Sequence, residues 1–326
     1  MRRNRLGNSA VEVTELSFGA AAIGNLFRAV EPARAAAAVD AAWDEGVRYF
    51  DTAPHYGLGL SERRLGEALR GRPREAYVLS TKVGRVLDPL PDGGPASEGL
   101  SEGFAVRATH RRRWDFSAAG VRRSIEDSLE RLGLDRIDIA YLHDPDDHAE
   151  AAFRQAYPEL EKLRAEGVIG AIGAGMNQTA MLTRFVHETD VDVVLCAGRY
   201  TLLDQSALST LLPAAAARGR GVVVGGVFNS GLLADPRPGA TYDYAAAPLN
   251  LLDRALRLKA VTEGHGVPLR AAALHYPLTH PAVAGVLVGS RSPDEVRDAA
   301  TLLRSPVPDA LWDELREAGL LTENGH

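Results

Sequence analysis

The chain has 326 residues, 45% of them hydrophobic and 25% charged, with a net charge of −6. This is ordinary globular composition with length enough for a large core, and the acidic balance argues against a nucleic-acid binder, which normally shows a basic face. No stretch approaches the ~18 uninterrupted apolar residues of a membrane helix, the basic start Met1-Arg2-Arg3-Asn4-Arg5-Leu6 has no apolar run behind it, and one cysteine, Cys196, permits no intramolecular disulfide, so a cytoplasmic protein is expected.

In chain order, residues 3–13 predict a short hairpin. Eight β-rich runs follow: Glu15–Phe18, Arg48–Asp51, Val78–Lys82, Ile137–His143, Ile169–Gly173, Val193–Cys196, Val222–Gly225 and Ala284–Val288. Their Val, Ile, Leu and Ala content fits parallel strands buried on both faces. The stretches between them have helical spacing. Val121, Ile125, Leu129 and Leu132 step by four, four and three before Gly133, and Phe153, Tyr157, Leu160 and Leu163 repeat the pattern before Gly167. Pro32 suits the first position of an alanine-rich helix, where its missing N–H costs nothing. Eight such β/α pairs predict one closed (β/α)8 TIM barrel spanning 1–326. The open dinucleotide-binding sheet lacks its fingerprint, since Gly57-Leu58-Gly59 is followed by Glu62 where a third glycine belongs. Residues 85–116 and 228–250 read as long loops on the catalytic face. The basic run Arg111-Arg112-Arg113 reads as a solvated loop edge.

Three consecutive strands end in chemistry-bearing residues: Asp51, Lys82 and His143, with Tyr56 on the loop five residues after Asp51. Each alone has a structural explanation as a rim charge, a packing aromatic or a loop-bonding imidazole. Together on one rim they suit proton transfer at a carbonyl or carbinol oxygen. A free tyrosine, with a pKa of about 10, exchanges protons poorly at neutral pH. A neighbouring ammonium stabilises its phenolate, and a carboxylate holds that ammonium charged. None of the four carries hydride, so a redox cofactor is required. No metal site is expected.

Asp51-Thr52-Ala53-Pro54-His55-Tyr56-Gly57, Ser80-Thr81-Lys82-Val83-Gly84, Ser128-Leu129-Glu130-Arg131-Leu132-Gly133, Asp138-Ile139-Ala140-Tyr141-Leu142-His143 and Gly289-Ser290-Arg291-Ser292-Pro293 resemble, in family order, the aldo-keto reductase superfamily. The resemblance implies Tyr56 as general acid or base, with Lys82, Asp51 and His143 completing a tetrad. It also implies a nicotinamide dinucleotide bound across the barrel mouth. Asn177 matches a residue that holds the carboxamide, while Met176 departs from the usual serine. The usual glutamine at the end of strand six is missing from 194–198, and Gly225-Gly226 replaces the aromatic that often stacks on nicotinamide. Gly289, Ser290, Arg291 and Glu295 are the cofactor-phosphate candidates. Ser292 and Glu295 fit a capping box with Pro293 at the first helical position, and such a helix start offers N–H groups to a phosphate. The cofactor is NAD or NADP. Gly289 and Glu295 stand where NADP-specific members often carry Lys and Arg, which favours NAD.

Within the family, 143–147, 197–205 and 225–233 resemble the branch containing L-fucose dehydrogenase, D-threo-aldose 1-dehydrogenase and pyridoxal 4-dehydrogenase. The implied activity is oxidation of a sugar hemiacetal to a lactone. A general NADPH-dependent aldehyde or ketone reductase shares the same four residues. Lys82 as a Schiff-base aldolase lysine is the reading from another enzyme class, and a non-enzymatic nucleotide-sensing subunit is a third. The expected partner is a small-molecule carbonyl or sugar, with no nucleic acid and no membrane.

Overall fold

The computed structural model describes residues 1–91, 99–243 and 245–322. Eight parallel strands close a barrel: β1 (Leu16–Gly19), β2 (Tyr49–Asp51), β3 (Val78–Val83), β4 (Ile137–His143), β5 (Ile169–Met176), β6 (Val193–Ala197), β7 (Gly221–Gly225) and β8 (Val283–Gly289). All eight expected runs become barrel strands, and β8 pairs with β1 to close the ring. β5 runs past its expected end at Gly173 to Met176, which carries Asn177 to the rim.

The strands serve two cores. Tyr49, Ile139, Tyr141, Ala171, Val193, Leu195 and Val223 fill the barrel, and Leu6 and Val13 plug its floor. These last two belong to the N-terminal hairpin, in which Arg3–Arg5 pairs with Glu12–Thr14. Residues of opposite parity face the helices. On the helix Ala118–Leu132, Val121, Ile125 and Leu132 are buried, each burial being worth about 1.5–3 kcal/mol. Ser117 caps that helix by accepting from the Gly120 N–H at 3.0 Å, and Gly133 (φ 65°) ends it. Pro32 opens the helix Pro32–Asp44 as expected.

The segment 85–116 is more ordered than a loop. Arg85–Pro89 pairs antiparallel with His110–Trp114, and Gly99–Ser101 with Phe104–Val106. Residues 92–98 of this expected loop, and 244 of the other, lie outside the described residues. The reading of Arg111–Arg113 as a solvated edge needs correcting at its centre. Strand alternation turns Arg112 inward, where it is 5% exposed, while Arg111 and Arg113 stay outside and pair with Asp88. In the second loop, Arg199 is bound by both carboxylate oxygens of Asp243, at 3.3 and 2.8 Å, which ties the loop after β7 to the loop after β6.

Candidate active site

Asp51 and Lys82 end neighbouring strands and meet inside the rim. Lys82 Nζ donates to Asp51 Oδ2 at 2.6 Å and to the Thr52 carbonyl at 2.9 Å. Ser80 donates to Asp51 Oδ1 at 2.7 Å, and the Tyr49 hydroxyl joins Ser80 to Tyr141 at 3.0 and 3.1 Å. The carboxylate is therefore fixed from both sides. Burial pulls the Lys82 ammonium toward neutrality, but Asp51, and after it Tyr56, hold its pKa above the ordinary lysine value. A lysine held charged in this way is no Schiff-base nucleophile, which removes the structural basis of the aldolase reading.

Tyr56 lies on a tight turn. Its N–H donates to the Ala53 carbonyl, and its own carbonyl accepts from Ser61. Gly57 takes φ 64°, and a Cβ there would stand 2.2 Å from the Gly24 carbonyl oxygen. Only glycine fits that approach, so the loop after β1 buttresses the turn. Lys82 Nζ sits 4.6 Å from the Tyr56 ring centroid, and Phe104 stacks on that ring at 5.9 Å.

His143 ends β4 edge-on to Tyr56, their ring centroids 5.9 Å apart. Its pKa is held well below the ordinary histidine value by burial first, then by the Arg85 and Lys82 charges and by His55. The ring is neutral and keeps one N–H donor for a substrate oxygen. Asp144, in a left-handed conformation (φ 45°), reaches within 3.6 Å of His143 Nε2 and pairs with Arg85. The four sequence-identified residues are thus brought to one rim.

The cofactor candidates form two groups. Asn177 Nδ2 donates to the Ala197 carbonyl at 2.7 Å, and Asn229 Nδ2 to the Gly198 carbonyl at 3.3 Å. Asn229 Oδ1 is buried without a partner. An unpaired buried acceptor costs about 1–3 kcal/mol, and a carboxamide N–H from a nicotinamide fits it. Across the mouth, Ser290 is buried and Gly289 exposed. Ser292 accepts from the Glu295 N–H at 3.3 Å, the first half of the expected capping box. The second half differs: Glu295 Oε2 accepts from the Arg291 N–H at 2.8 Å, one residue earlier than the box requires. Burial, then Arg28, lowers the Arg291 pKa, with Glu295 opposing and Arg34 adding to the fall. Arg291 stands at this helix start and feels the charges of Arg28 and Arg34, a positive field that suits a phosphate-bearing ligand. The donor set therefore fits a nicotinamide dinucleotide.

Several participants were not read from the sequence: Ser80, His55, Phe104, Asn229, Arg28, Arg34 and the Arg85–Asp144 pair. Asp144 and Asn229 lie inside motifs that stood out, but their motifs carried no geometry. Among the described residues, no group of three or more His, Cys, Asp or Glu is arranged to hold a metal ion, and no helix is long and apolar enough to cross a membrane.

Comparison with known proteins agrees with the geometry. The chain is 48% identical over 316 residues to D-threo-aldose 1-dehydrogenase of a Pseudomonas species, covering 96% of each chain. It is 40% identical to pyridoxal 4-dehydrogenase of Microbacterium luteolum, covering 98% of each. Its fold resembles a holo-form aldo-keto reductase structure from Bacillus halodurans with a TM-score of 0.77 at 27% identity, covering 97% of this chain and 96% of that one. The profile of the aldo/keto reductase family matches residues 15–319. With its tetrad assembled on a closed barrel and nearly its whole length matched, the chain belongs to the aldo/keto reductase family and is an oxidoreductase.

Proposed function

We propose that the chain oxidises the anomeric carbon of a cyclic aldose, L-fucose or a related sugar, to the lactone, with NAD or NADP as cofactor and NAD favoured. The observation that carries this reading is the buried Lys82–Asp51 pair beside Tyr56, in a chain 48% identical to an aldose dehydrogenase. The dinucleotide, when bound, supplies the acceptor for hydride leaving C1, which no side chain does. Asn177 and Asn229 would hold its carboxamide, and Ser290, Arg291 and Arg28 its phosphates. Tyr56 takes the proton of the C1 hydroxyl as the carbonyl forms. The Lys82 ammonium stabilises negative charge growing on the phenol oxygen, and Asp51 keeps that ammonium charged and in place. Neutral His143 donates a hydrogen bond to the same substrate oxygen. The substrate is a small molecule, and a single buried free cysteine, Cys196, suits the reducing cytoplasm.

The test is nicotinamide absorbance after mixing the purified protein with L-fucose and NAD+ or NADP+, beside Tyr56→Phe. Reduction of one cofactor, lowered about 10²–10⁴-fold in the variant, supports the reading and fixes the preference. No reduction with L-fucose, a panel of other aldoses or pyridoxal, but turnover of simple aldehydes with NADPH, establishes the general reductase instead. Undiminished turnover by Tyr56→Phe overturns the mechanism.

A further inference from the structure

The catalytic turn carries a second aromatic nitrogen base that the mechanism does not use. His55 lies between Asp51 and Tyr56, its ring centroid 6.0 Å from that of Tyr56, 5.8 Å from that of His143 and 5.2 Å from that of Phe104. Of its two ring nitrogens, Nδ1 is buried with no hydrogen-bond partner. Glu102 Oε2 lies 3.7 Å from Nδ1, within about 1 Å of hydrogen-bond length. Glu102 occupies a left-handed conformation (φ 49°) between the paired strands Gly99–Ser101 and Phe104–Val106. A non-glycine residue costs roughly 1–2 kcal/mol there. Arg112 holds this tip to the turn: its guanidinium donates to the His55 carbonyl at 3.0 Å and to Ser101 Oγ at 2.9 Å, and lies 3.7 Å from Glu102 Oε1. The two-residue turn Glu102-Gly103 and the buried Arg112 cation thus place a carboxylate on one side of His55.

We propose that His55 reads a hydroxyl on the carbon next to the reacting one, and that Glu102 is the positioning residue that sets its tautomer. The inference rests on the polyhydroxylated substrate class proposed above. A neutral imidazole has one N–H and one lone pair. With Nδ1–H directed at Glu102, the lone pair falls on Nε2 as an acceptor. Burial, then the Arg85, Arg112 and Lys82 charges, depress the pKa of His55 to about 2, so the ring stays neutral throughout the working range. A substrate oxygen held between Tyr56 and His143 places its neighbouring hydroxyl within reach of this third ring. The neutral acceptor selects an O–H donor, and a substrate without that hydroxyl leaves the nitrogen unpaired, which is how such sites discriminate strongly.

The experiment compares kcat/KM for reduction of lactaldehyde and of propanal, which differ only in the adjacent hydroxyl. The full-length protein is used with NADH or NADPH, and aldose oxidation is followed in parallel. The expected result is a wild-type preference for lactaldehyde that falls at least tenfold in His55→Phe, mostly through KM, and is partly restored in His55→Asn. Glu102→Ala, at an exposed tip, is expected to lower the same ratio and to add nothing in the His55→Phe background. A ratio within twofold of wild type in His55→Phe and in Glu102→Ala overturns the proposal, as does a wild type with no preference. The aldehyde pair is independent of lactone formation. A protein that shows the ratio change but oxidises no aldose overturns the aldose reading alone.

Discussion

Lys82 Nζ and Asp51 Oδ2 are 2.6 Å apart with both side chains 2% exposed. Two charges taken this far from water persist only as a pair. Removing one partner leaves the other uncompensated, which typically costs about 3–5 kcal/mol. Asp51→Asn is therefore expected to lose stability on that scale in urea unfolding at pH 7, along with most of its turnover. A loss below about 1 kcal/mol would show that water or rearrangement relieves the ammonium.

The same pair sets an alkaline limit. The folded pKa of Lys82 is raised, with the Asp51 carboxylate outweighing burial. Its stabilisation is present in full below the ordinary lysine value, about 10.4, and is lost as pH rises through the higher folded value. Stability is expected to fall in strongly alkaline solution, and the wild type and Asp51→Asn to converge there. Parallel Tm curves from about pH 10 to 12 would contradict this.

At the acid end the imidazoles decide. His143 and His55 both have lowered folded pKa values, burial being the first cause in each. Unfolded, each takes a proton near pH 6.5. Their neutral folded state is free of penalty above that value, and stability falls as pH drops below it, by about 1.4 kcal/mol per unit for each group. Denaturant unfolding between pH 7 and 5 is expected to show this slope, reduced by one proton in His143→Phe. An unchanged slope in that variant would mean that His143 is protonated in the folded state.

What the sequence discloses and what it hides follow the range of the interactions. The eight strands are legible because each is buried on both faces and leaves an uninterrupted apolar run. Asp51, Lys82 and His143 are legible because each ends such a run. Ser80 is not, because a serine inside a strand looks the same whether it faces a helix or orients a carboxylate. The ribbon of Arg85–Pro89 with His110–Trp114 is hidden in a Gly- and Pro-rich stretch, since its partners are about 25 residues apart in sequence. Burial of Arg112 depends on that pairing and was misread with it. The Glu295 bond to Arg291, instead of Ser292, is a matter of one rotamer, which spacing alone does not fix.

Gly57 offers a test of how tightly the turn is specified. A Cβ at this position would meet the Gly24 carbonyl at 2.2 Å, and φ is already 64°. Gly57→Ala must move the turn that carries Tyr56. A displacement of about 1 Å can cost about 10²-fold in rate. The expected outcome is a large fall in kcat with the cofactor Kd, read from nicotinamide fluorescence, near that of wild type. Equal loss of both would indicate collapse of the whole rim.

Cofactor preference is expected to turn on Glu295. Its carboxylate accepts from the Arg291 N–H at 2.8 Å and lies 4.0 Å from the Arg291 guanidinium. It therefore occupies part of the positive field that Arg28, Arg34 and Arg291 create. A 2′-phosphate brought to this helix start would meet the carboxylate's charge, whereas a 2′-hydroxyl would not. Glu295→Gln keeps an acceptor for the N–H and removes the charge. It is expected to raise kcat/KM for NADP+ relative to NAD+ about tenfold, equivalent to about 1.4 kcal/mol, with the gain shrinking at high salt as the repulsion is screened. A ratio that does not move would place the phosphate away from Glu295 and leave Arg28 and Arg34 as its first contacts.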